Sequence, residues 1–149
     1  MTKILGISAF YHDSAASIII DGEIVGASQE ERFSRIKHDP SFPRLAIRSV
    51  LKQADIHLDE IDYIAFYDKP FLKFERILEA HISNIPFGFP QFLRSMPIWL
   101  KEKVFIKRKI MGELKNLGGS FSEEQLFFSE HHFSHAASAF YPSPFDQAV

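Results

Sequence analysis

The chain has 149 residues, 46% of them hydrophobic and 24% charged, with 17 basic side chains against 19 acidic ones and no cysteine. A balance of this kind argues for one ordinary globular domain and against a disordered or fibrous class, and it gives no reason to expect nucleic acid as an obligatory partner. Disulfides, thiolate metal sites and cysteine nucleophiles are excluded, which makes a cytoplasmic location the simplest expectation. The apolar run at the N-terminus is interrupted by Tyr11-His12-Asp13 too early for a signal sequence or a membrane span.

Lys3 to Ala9 reads as a core strand covered on both faces, because it is apolar without alternation. Ala15 to Ile20 and Glu23 to Ser28 flank Asp21-Gly22, a dipeptide that favours a type I′ hairpin. Three strands thus precede any helix, which is not how a dinucleotide-binding fold begins. Gln29 to Pro43 is charged and irregular, and within it the cluster from Glu30 to Asp39 reads by itself as an exposed loop. A helix then follows from Pro43, with Ile47, Val50, Leu51 and Ala54 on one stripe. Asp62 to Tyr67 is expected to be the fourth strand.

Beyond it, Phe71 to Ser83 has the pattern of a helix, and Ile85 to Leu100 is a proline-broken, aromatic insertion that reads as a structural cap, with the lip of a substrate pocket or a partner surface as the alternative. Pro97 to Leu117 continues as a helix that ends at Gly118-Gly119-Ser120. Gln125 to Ser129 is the fifth strand, and Pro142 to Val149 reads as a loop leading into the first residues of a further strand. A domain that stops there is expected to be the first portion of a longer enzyme.

The densest chemistry lies in Ser129-Glu130-His131-His132-Phe133-Ser134-His135, which holds three of the seven histidines. On a helix His131 and His135 fall at i and i+4, so both imidazoles can reach one divalent ion while His132 points elsewhere; the alternative is a helix N-terminus whose histidines satisfy local backbone or carboxylate partners. Zinc, iron and nickel all suit such a pair, and the remaining ligands must come from distant sequence. His12-Asp13 lies where the first strand gives way to the second; it fits either a catalytic base or a turn-closing pair. There is no GxxxxGK[ST], GxGxxG or GxSxG, so P-loop, Rossmann and serine-hydrolase chemistry lack their physical requirement.

Taken together, Leu5-Gly6-Ile7, Tyr11-His12-Asp13-Ser14-Ala15-Ala16, Asp21-Gly22, Glu30-Glu31-Arg32-Phe33-Ser34-Arg35 with Lys37-His38, Phe42-Pro43 and Glu130 to Phe140 resemble a known family. The resemblance is to the N-terminal part of carbamoyltransferases of the nodulation-protein-U and antibiotic O-carbamoyltransferase type. It implies an α/β fold, the first lobe of an actin-like, sugar-kinase-like (ribonuclease-H-like) domain, with a mixed five-stranded sheet that starts with three antiparallel strands. It implies ATP-dependent transfer of a carbamoyl group from carbamoyl phosphate, through carbamoyl adenylate, to a hydroxyl of a small metabolite, with the adenylate made by a second domain further along the chain.

By match to the family motif, His131 and His135 would be ligands of an iron-type divalent ion, completed by carboxylates beyond Val149. His12 would sit at the acceptor side and Lys37 near the transferring group. The partners implied are the acceptor and the remainder of the chain, with neither nucleic acid nor membrane. Two other readings stand beside this one, a sugar-kinase-like phosphotransferase and a non-catalytic metal- or partner-binding module. The kinase reading requires an acidic-glycine phosphate loop in the first hairpin, of which His12-Asp13-Ser14 is a poor version.

Overall fold

The computed structural model describes residues 1–68 and 105–147. Its centre is a five-stranded sheet in the order β3-β2-β1-β4-β5, formed by β1 (Lys3–Ser8), β2 (Ala15–Ile20), β3 (Glu23–Gln29), β4 (Tyr63–Phe66) and β5 (Leu126–Phe128). The first three strands are antiparallel neighbours, whereas β4 runs parallel to β1 and β5 parallel to β4. The hairpin between β2 and β3 turns on Asp21 and Gly22, both with positive φ (50° and 92°), as a type I′ turn requires. Asp21 also accepts the Thr2 N–H through Oδ1 at 2.6 Å, which ties the hairpin to the start of β1. The register shifts between Ile18 and Ile19, an irregularity within an otherwise regular ladder.

Helix α1 (Glu31–Ser34) is a single turn, and α2 (Arg44–Ala54) lies across β2 and β3. Pro43 stands just before α2, where its missing N–H costs nothing. The apolar stripe Ala46, Ile47, Val50 and Leu51 is buried against Leu5, Ile7 and Ile18 of the sheet. On the same side α3 (Ile106–Asn116) adds Ile106, Ile110 and Leu114 to the core, and its Glu113 pairs with Arg44 of α2. Gly118 follows with φ 97° and donates its N–H to Lys115, while the Gly119 N–H reaches back to Leu114, a left-handed stop after the helix. The last helix, α4 (His131–Phe140), begins two residues after β5.

Several expectations need adjustment. The other face of β1 is not fully covered by the described residues: Gly6 and Ser8 line a cavity of about 690 Å³ together with Ser17, Tyr67 and Ser134. The segment after β3 is also not simply an exposed loop, since Glu30 and Asp39 are both buried. The Glu30 carboxylate accepts the backbone N–H groups of Leu45 (3.1 Å) and Ala46 (2.7 Å) and so caps α2 from a distance in sequence, satisfying donors that open every helix. Asp39 accepts the Ser41 N–H at 2.9 Å, and the hydroxyls of Ser41 and then Ser34 hold its carboxyl below the usual range. The expected helix at 71–83, the proline-aromatic insertion at 85–100 and the first part of the helix from Pro97 lie outside the described residues, as do 148–149. Among the described residues, no helix is long and apolar enough to cross a membrane.

Candidate active site at one edge of the sheet

Strand directions decide what meets here. β1, β4 and β5 are parallel, so their C-terminal ends share one edge; β2 begins and β3 ends at that same edge, because Ser8 pairs with Ala15 and Ala15 with Gln29. Four chain segments therefore converge: the 9–14 connection carrying His12, the 30–43 segment carrying Lys37, Tyr67-Asp68 after β4, and Ser129 to His135 after β5.

The 9–14 connection is sharply folded. Phe10 and Asp13 both adopt left-handed backbone (φ 71° and 50°), which is uncommon for a bulky residue such as Phe10. Phe10 is held there from several sides. Its N–H donates to the Pro40 carbonyl at 2.9 Å, its ring lies 5.9 Å from that of Phe42 and 6.4 Å from that of Phe66, and the Lys109 ammonium sits 3.9 Å above its centroid. The next ring, Tyr11, lies 4.5 Å from that of His12.

Asp13 then receives two imidazoles. His12 Nδ1 is 2.7 Å from Oδ2 and His38 Nδ1 is 2.8 Å from Oδ1. These bonds, His38 first and then His12, hold the Asp13 carboxyl below its usual range. Asp13, Glu31 and His38 bring ligand-type atoms within 4.8 Å of one another. Hydrogen bonds inside the group account for this closeness, since the His38 backbone N–H also donates to Glu31 at 3.1 Å. Lys37, next in the chain to His38, is exposed and makes no hydrogen bond or ion pair with the described residues.

On the other side, α4 is fastened to the end of β4. The Ser129 N–H donates to the Phe66 carbonyl at 2.9 Å, and the Ser134 hydroxyl donates to the Tyr67 carbonyl at the same distance. His131 and His135 bring their Nε2 atoms to 3.2 Å, while His132 is exposed, its ring centroid 5.7 Å from that of His131. Two nitrogens each about 2.1 Å from one ion stand about 3.0–3.4 Å apart at octahedral or tetrahedral angles, a spacing that the pair meets and that a hydrogen bond from one ring to the other meets as well. The Tyr67 ring packs 5.7 Å from that of His131, and burial, followed by Asp68 and Tyr11, pushes its hydroxyl up to about 12. Tyr67 thus stays protonated as a neutral donor beside His131.

Comparison with known proteins gives this edge its context. Residues 3–149 match the family model described as carbamoyltransferase N-terminus. The chain belongs to this carbamoyltransferase family. It is 53% identical over 151 residues to the Uncharacterized protein sll1178 of Synechocystis sp., an alignment that covers 100% of this chain and 25% of that protein. It is 33% identical over 147 residues to Nodulation protein NolNO of Sinorhizobium fredii, covering 95% of this chain and 19% of that protein. The chain therefore spans about a quarter or less of the length of these two relatives. Among solved structures, YeaZ from Pseudomonas aeruginosa matches with a TM-score of 0.34 and 16% identity over 46% of this chain and 30% of that one, too loose a likeness to support an argument.

Sequence reasoning missed Asp13 as a shared acceptor, His38 as its second partner, and Tyr67. Only Asp13 was open to discovery, through its place beside His12; the other two depend on which strand ends become neighbours.

Proposed function

We propose that this chain is the N-terminal, acceptor-side part of an ATP-dependent O-carbamoyltransferase. In this reading the carbamoyl group comes from carbamoyl phosphate, passes through carbamoyl adenylate made elsewhere in a longer protein, and ends on a hydroxyl of a small metabolite. The observation that carries it is the meeting of His12, the Lys37-His38 segment and the His131–His135 pair at one sheet edge, in a chain of the carbamoyltransferase family. The sheet, with three antiparallel strands followed by two parallel ones, supports its assignment to the first lobe of an actin-like domain. A cytoplasmic location, where ATP is at hand, goes with the same reading.

Chemically, the transfer step needs a proton removed from the attacking alcohol. His12, its Nδ1 engaged by Asp13, offers Nε2 as the acceptor. The alcohol oxygen then bonds to the carbamoyl carbon as the carbon–oxygen bond to the adenylate phosphate breaks, and AMP departs with the electron pair. Lys37 supplies positive charge to the carbonyl oxygen or the departing phosphate. His131 and His135 would hold an iron-type divalent ion, which supplies further positive charge when bound.

In the intact enzyme, pyrophosphate release from ATP is expected to require carbamoyl phosphate, and carbon label from carbamoyl phosphate is expected to appear on a hydroxyl acceptor. If the γ-phosphate of ATP appeared on the acceptor instead, the chain would be a kinase and this reading would fail. The metal assignment has its own measurement. Either His131→Ala or His135→Ala is expected to lower the bound metal of the purified intact protein about tenfold or more, as loss of one of two neutral ligands implies. A full equivalent retained by both variants would remove the pair from the metal site.

A further inference from the structure

Among the described residues, the Asp13 carboxylate is shared by two imidazoles, those of His12 and His38, which lie 26 residues apart in sequence. An ionised carboxylate carries no proton to give, so each contacting ring nitrogen must be the donor. Both contacting atoms are Nδ1, at 2.7 Å and 2.8 Å. The backbone at Asp13 is left-handed, and this aims a short side chain back between the 9–14 connection and the 30–43 segment. Two backbone bonds close the same seam, Ser14 N–H to the Asp39 carbonyl at 3.0 Å and Phe10 N–H to the Pro40 carbonyl at 2.9 Å. The seam is thus held from both sides of the carboxylate.

We propose that Asp13 is a positioning residue that holds His12 and His38 together as Nδ1–H tautomers, so that Nε2 of His12 is the proton acceptor toward the substrate hydroxyl. The catalytic part of this inference rests on the transfer reading given above; the tautomer part does not. A neutral imidazole in water prefers the opposite, Nε2–H form, so the carboxylate has a preference to reverse. His38 is the anchor of the arrangement: it ties the segment that bears Lys37 to the connection that bears His12.

The test uses intact protein labelled with ¹⁵N at histidine, studied by long-range ¹H–¹⁵N correlation above the histidine titration range. His12 and His38 are expected as Nδ1–H tautomers in the parent. Asp13→Gly removes the acceptor and tolerates the left-handed backbone, so both rings are expected to shift toward Nε2–H. In the same variant kcat for transfer is expected to fall about 100-fold, with acceptor KM and carbamoyl-adenylate formation little changed. His38→Ala is expected to keep the His12 tautomer and lose less than about tenfold, because the bond from His12 to Asp13 survives.

An Nε2–H His12 in the parent would overturn the proposal even if no variant folded. So would an Asp13→Gly variant that keeps the parent tautomers, or one that shifts them and keeps full transfer. Since the tautomer readout needs no turnover, absence of carbamoyl transfer in the parent would strike the transfer reading and leave the spectra to decide whether Asp13 sets the two rings.

Discussion

Replacing His12 by alanine in the intact enzyme is expected to lower transfer to the hydroxyl acceptor by about 10²- to 10⁴-fold while leaving carbamoyl-adenylate formation nearly intact. The split follows from the chemistry. Making the adenylate requires no alcohol to be deprotonated, whereas transfer does. In the structure His12 is over half exposed, so alanine removes little packing, and any loss is attributable to the missing ring rather than to unfolding. Two separate measurements, pyrophosphate release and transfer from supplied carbamoyl adenylate, resolve the steps. Loss of adenylate formation with transfer preserved would assign His12 to turn closure instead of base catalysis.

The second large effect is on stability. Phe66→Ala is expected to cost about 3–5 kcal/mol, the range for removing a fully buried aromatic side chain and leaving a cavity. Phe66 is 1% exposed, and its ring lies 6.4 Å from that of Phe10, 5.1 Å from that of Tyr67 and 5.8 Å from that of Phe128. Those three neighbours lead into the segments that carry His12, Tyr67 itself and the histidine helix. The substitution therefore loosens the site as well as the core. Phe66→Leu, which keeps most of the apolar volume, should cost far less. Equilibrium urea unfolding checks both, and a loss below about 1 kcal/mol for the alanine variant would mean that the floor under the site is repacked without it.

Local features were legible in the sequence because their causes lie within a few residues. Asp21-Gly22 dictates a turn through backbone conformations that glycine and aspartate accept, and the stripe of Ile47, Val50 and Leu51 dictates the buried face of α2 through helical spacing. Spacing likewise set the approach of His131 and His135, since i and i+4 share a helix face. Boundaries moved by a residue or two where hydrogen bonds rather than apolarity end a strand, as with β5, which spans Leu126–Phe128 after a short 3-10 turn at Glu123–Gln125.

Other features depended on tertiary structure. Charge density alone made Glu30 and Asp39 look exposed, but Glu30 is buried where it accepts the N–H groups of Leu45 and Ala46 at the start of α2, and Asp39 is buried where it accepts the nearby Ser41 N–H. Likewise, His12-Asp13 is ambiguous as a dipeptide, and becomes a carboxylate shared by two imidazoles only when the segment after β3 folds back to bring in His38. Parallel pairing of β1 with β4 and of β4 with β5 gathers the motif-bearing segments at one edge, and such pairing joins residues tens of positions apart. The sequence by itself determined which residue types and local elements were on hand; long-range strand order decided which of them meet, because contacts across a sheet have no signature in the spacing of neighbouring residues.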